Sequence, residues 1–148
     1  MALPRRLRPL LAAIAGGAIF AGCGSGNDGL EIPGPNSKLC TPGVAVVGIQ
    51  DGEAGVVCGC NEAPSWTAAP ASVTCTVAAN TVVLFEYVGT TLLHQVIPNG
   101  TPSFTASQLS NPADQNPFRL HTVVFSTSGT YKFIDNFNHA LSGQIIVL

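Results

Sequence analysis

The chain has 148 residues, five cysteines, three histidines and a formal net charge of −2. That length fits one domain plus a leader. Six residues are Lys or Arg, and Arg5, Arg6 and Arg8 account for half of them, so no basic patch is left to hold nucleic acid.

The first segment carries that charge and then an apolar run from Leu10 to Phe20. This is the layout of a signal peptide over residues 1–22, too short and wrongly flanked for a membrane span. The run closes Phe20-Ala21-Gly22-Cys23. Small residues directly before a cysteine resemble a bacterial lipobox. Cys23 would then be lipidated and become the new N-terminus. The protein would be anchored to the membrane of the cell envelope, facing the periplasm or the cell exterior. The alternative is ordinary cleavage that leaves a spare cysteine. Arg5-Arg6 also offers a twin-arginine export signal, and export by that route or by Sec stays open. Residues 23–39 are rich in Gly, Asn and Pro and read as a flexible tether, with the domain over 40–148.

Setting Cys23 aside leaves Cys40, Cys58, Cys60 and Cys75, an even number. Outside the cytoplasm this implies two disulfides. Cys58 and Cys60 are too close in sequence to bridge comfortably. Two pairings stay open: Cys40–Cys58 with Cys60–Cys75, or Cys40–Cys60 with Cys58–Cys75. The alternative for Cys58-Gly59-Cys60 is a soft ion such as Cu(I).

Val44 to Ile49 is a short apolar run between Pro42-Gly43 and Asp51-Gly52, which predicts a first strand. Gly55 to Cys60 predicts a second. Asn61 to Pro70 holds Pro64, Trp66 and Pro70 and reads as a loop, with Trp66 covering the edge of the core. Two β-branched runs follow, Pro70 to Val77 and Ala78 to Phe85, split by a small polar turn. Leu93-His94-Gln95-Val96-Ile97 comes next. Pro98 to Pro117 is a long polar passage. Arg119 to Phe125 alternates and predicts another strand. In the tail, Tyr131, Phe133 and Asp135 share one face of a strand that starts at Gly129. A turn-rich loop from Asn136 to Ser142 carries His139, and Gly143 opens a last strand to Leu148. Many short strands with turn signals, and no helical period after the leader, predict an all-β sandwich.

The tail GTYKFIDNFNHALSGQIIVL resembles the C-terminal end of cupredoxins, the blue-copper family of plastocyanin. Their pattern is G-x-Y-x-F/Y-x-C, a loop with His and Met, then G-x-V/I-x-V. Gly129, Tyr131, Phe133, Gly143, Ile145 and Val147 match it. Asp135 stands where the family has its copper-binding Cys, and Leu141 where it has the axial Met. Upstream, the passage from Pro70 to Phe85 is similar to P-x-x-x-x-V-x-x-G-D-x-V-x-F, with Asn80 for the usual Asp. His94-Gln95-Val96 matches the H-x-V that carries the family's first copper His. The likeness covers residues 70–148.

The resemblance implies an antiparallel Greek-key β-sandwich and copper as cofactor. It implies a metal set of His94, Asp135 and His139. His139 lies four residues after Asp135, whereas Asn138 occupies the plastocyanin spacing. Two imidazoles and a carboxylate suit a non-blue Cu(II), Zn(II) or Fe(II) site. Such a domain would handle copper or make redox contact with a protein partner outside the cytoplasm. The competing reading is a metal-free structural or interaction module that keeps the fold, with Asp135 capping its loop through backbone N–H groups. His121 has no motif partner and reads as structural. No G-x-S-x-G, H-E-x-x-H or Gly-rich phosphate loop is present, and the chain is read as no enzyme.

Overall fold

The computed structural model describes residues 38–148 apart from 116 and 118. The signal peptide, the lipidation of Cys23 and most of the tether lie outside the described residues. Among those described, every regular element is a strand, and there are nine. They are β1 (Val44–Gln50), β2 (Glu53–Cys58), β3 (Ser65–Ala68), β4 (Ala71–Val77), β5 (Val82–Tyr87), β6 (Val96–Pro98), β7 (Leu120–Val124), β8 (Gly129–Asp135) and β9 (Leu141–Val147). Five form one sheet in the order β3-β2-β1-β5-β7, and four form the other in the order β4-β9-β8-β6.

The sandwich expected from the strand pattern is present, with one difference. β1 runs parallel to β5, and β4 runs parallel to β9, so both sheets are mixed. From β3 onward the chain passes from sheet to sheet at each step up to β8. Parallel neighbours need such crossings, whereas an antiparallel pair needs only a hairpin. Alternation within a strand is blind to this, because it reports faces and not neighbours.

The core lies between the sheets. β4, β5, β8 and β9 alternate, turning Val73, Cys75, Val77, Val83, Phe85, Tyr87, Tyr131, Phe133, Ile145 and Val147 inward. Phe85 and Phe133 meet edge to face across the gap, with ring centroids 5.1 Å apart. Such a pair adds about 1 kcal/mol beyond its area burial. Gly143 lies inside β9 rather than at its start, and any side chain at this position would strike the Phe133 ring and the Val73 carbonyl.

The segment around Trp66 is a strand and not a loop. β3 pairs with β2, and the Trp66 ring lies over Gly48 of β1. Pro64 precedes this strand and Pro70 follows it, which is where prolines do not cost a ladder bond. The cysteines pair as Cys40–Cys58 and Cys60–Cys75, which settles the two open alternatives. The long passage after β6 is pinned by backbone bonds, Ser107 N–H to the Val96 carbonyl and a two-way bridge between Ser110 and His94. Phe104 packs from it onto Phe85 and Phe125.

Candidate functional site: a histidine between two carboxylates

Strand register brings the site together. Val96 of β6 pairs with Asp135, the last residue of β8. His94 lies two residues before Val96 and so meets the end of β8. From the other sheet, β1 and β5 end side by side, with Ile49 opposite Tyr87. Asp51 follows two residues after Ile49, in the turn between β1 and β2, and thus reaches the same pole of the sandwich. The Tyr87 ring stacks on His94 with centroids 6.2 Å apart.

His94 and Asp135 are each 1% exposed. His94 Nδ1 donates to Asp135 Oδ2, and His94 Nε2 donates to Asp51 Oδ1 at 2.9 Å. An ionised carboxylate only accepts, so an imidazole donating at both nitrogens is an imidazolium. In its protonated form His94 is a cation held at both ends. Burial works to lower its pKa, but the bonds to Asp135 and Asp51 outweigh that and raise it above 6.5.

The carboxylates are themselves saturated. Asp135 Oδ1 accepts the backbone N–H of Phe137 at 2.9 Å and of Gln95 at 3.3 Å. Asp51 Oδ2 accepts the N–H of Thr91 at 2.8 Å and also its hydroxyl, and Oδ1 accepts the N–H of Leu92 at 3.1 Å. Burial pushes the Asp51 carboxyl up, but the bonds from Thr91, His94 and Leu92 prevail and hold it at about 2.

Of the three residues expected to hold a metal, the structure thus joins His94 and Asp135. His139 is exposed on the loop before β9. Among the described residues, no group of three or more His, Cys, Asp and Glu side chains is arranged to hold a metal ion. The donor chemistry agrees. The two nitrogens of an imidazole point away from each other, so Asp51 and Asp135 at its opposite ends cannot share an ion with it. As arranged, the residues do not fit a copper centre. Asp51 is the member that sequence reasoning missed. Asp51-Gly52 reads as an ordinary turn, and only the parallel pairing of β1 with β5 carries it to His94. His121 Nε2 donates to the Thr105 carbonyl at 2.7 Å and its ring stacks on Phe85, a structural role.

Solved structures similar to this chain include cupredoxins. A purple cupredoxin from Nitrosopumilus maritimus aligns at 18% identity over 51% of this chain and 77% of its own, with a TM-score of 0.42. The oxidised plastocyanin of Dryopteris crassirhizoma aligns at 22% identity over 51% of this chain and 83% of its own, with a TM-score of 0.40. Amicyanin from Paracoccus versutus aligns at 16% identity over 73% of this chain and 84% of its own, with a TM-score of 0.45. No protein-family model and no curated protein matches the chain. The chemistry of the site is read from its own residues.

Proposed function

We propose that the chain is an exported, lipid-anchored envelope protein whose cupredoxin-like sandwich works as a metal-free interaction module without catalytic activity. One observation carries this reading: both nitrogens of His94 are engaged by carboxylates. A buried cation–anion clamp links the two sheets at the pole where the sequence resemblance implies a metal. Large apolar side chains support contact with a protein partner. Leu92 and Leu93 adjoin His94, Leu109 adjoins the Ser110 bridge, and Phe137 donates its N–H to Asp135; all four are exposed.

The second reading is a non-blue copper or other metal site with a redox or copper-handling role. It is favoured by the meeting of His94 and Asp135, which the resemblance implies, and by the compatibility of a cupredoxin-like fold with copper binding. Calorimetric titration of the full chain with Cu(II) and Zn(II) separates the two. Absence of binding at micromolar metal supports the module. Micromolar or tighter binding that is lost in both His94→Ala and Asp135→Ala supports the metal site.

A further inference from the structure

The cysteine corner holds two bridges in unlike surroundings. Cys75 is fully buried, belongs to the core cluster, and has Cys60 packed against that cluster. The chain beside this bridge is fastened independently. Asn61 N–H donates to the Thr76 carbonyl at 2.9 Å. The Glu62 carboxylate accepts the Thr76 N–H and hydroxyl, each at 2.6 Å. A thiol aimed at Cys60–Cys75 meets packed side chains and a hydrogen-bonded edge.

The Cys40–Cys58 bridge is packed differently. Both of its residues are partly exposed, whereas only Cys60 is in the other bridge, and neither Cys40 nor Cys58 belongs to the core cluster or packs against it. Cys40 sits between two turns, beside exposed Thr41 and Pro42. Cys58 ends β2 and is followed by exposed Gly59, whose φ of 76° only glycine adopts freely and whose backbone lies close against Val44 and Ala45 of β1. The bridge ties the segment leading from the N-terminus to β2. It is not what holds β1 in place, since β1 pairs with β2 on one side and β5 on the other.

We propose that Cys40–Cys58 is a thiol–disulfide exchange site, reduced by a dithiol while Cys60–Cys75 and the sandwich stay intact. A thiolate of the dithiol attacks one sulfur of the bridge, and the S–S bond breaks to release the other cysteine as a thiol. The second thiol of the reductant then attacks the mixed disulfide and closes its own S–S bond. Two electrons and two protons pass from the dithiol to the bridge. The segment before β1 is released from β2. Access decides the order, because exchange requires the attacking thiolate to reach a sulfur.

The test is graded reduction of the full chain with dithiothreitol under native conditions. Free thiols are alkylated with one reagent, the rest with a second after denaturation, and the cysteines are mapped by mass spectrometry. The expected result is first-stage label on Cys40 and Cys58 at a rate at least about tenfold above that on Cys60 and Cys75. The near-ultraviolet circular dichroism of the aromatic core is retained at that stage. Equal rates, the reverse order, or loss of the core signal together with the first bridge would overturn the proposal.

Discussion

His94 and Asp135 are separated by forty-one positions in the chain, yet the ring of one donates to the carboxylate of the other in a site closed to water. The pairing of Val96 with Asp135 makes the contact inevitable once β6 and β8 align. Charge removed from water in this way is held only where each charge finds a partner. Here the imidazolium has two, and Asp135 has two backbone N–H donors besides.

Replacing Asp135 with Ala should therefore leave a buried cation short of its better-shielded partner. Loss of one member of a buried pair costs about 3–5 kcal/mol. Urea unfolding should show a lower midpoint at an unchanged slope, with the midpoint shift multiplied by that slope equal to this cost. A change below about 1 kcal/mol would mean that the pair contributes little.

Asp51 lies nearer the surface, its side chain 26% exposed, and its substitution should cost less. Asp51→Ala is expected to cost about 1–2 kcal/mol and to act mainly on its own loop. The N–H groups of Thr91 and Leu92 lose their acceptor. Amide hydrogen exchange should speed up at these two positions, while Phe137 stays protected by Asp135.

The two pKa shifts define a stability plateau. His94 is raised above 6.5, so its contribution is complete below that value and is lost as pH rises through the folded-state value. Asp51 is lowered from 3.8 to about 2, so its contribution is complete above 3.8 and is lost as pH falls towards 2. The groups facing the ring are Asp51, Asp135 and Tyr87. Denaturant midpoints should be flat between these limits and decline on both sides. In His94→Gln the alkaline decline should disappear; its persistence would assign that decline to another group.

Much of this was legible from residue order. The alternation Tyr131-x-Phe133-x-Asp135 places all three on the inner face, and the structure buries all three. The Cys count gives two bridges, and the choice between pairings needed only the fold. What the sequence hid was neighbourhood. Trp66 sits in a short edge strand flanked by prolines, a pattern that turn chemistry alone reads as loop. Asp51 belongs to a hairpin turn, and nothing local distinguishes it from any turn aspartate. Its partnership with His94 follows from parallel pairing between strands more than thirty residues apart. The same blindness applied to the metal set: the resemblance implied His139, one residue beyond the family spacing that falls on Asn138, while the second carboxylate came from the other sheet.

The central claim is that the protonated ring of His94, clamped at both nitrogens, takes the place of a metal at this pole of the sandwich. Nitrogen-15 NMR of the His94 ring, recorded at pH 6 on metal-free full chain and again after one equivalent of Cu(II), tests it most directly. Two protonated ring nitrogens with slowly exchanging protons are expected, with a His94 signal unchanged by copper. A ring nitrogen without its proton, or copper-induced broadening centred on His94 and Asp135, would contradict it.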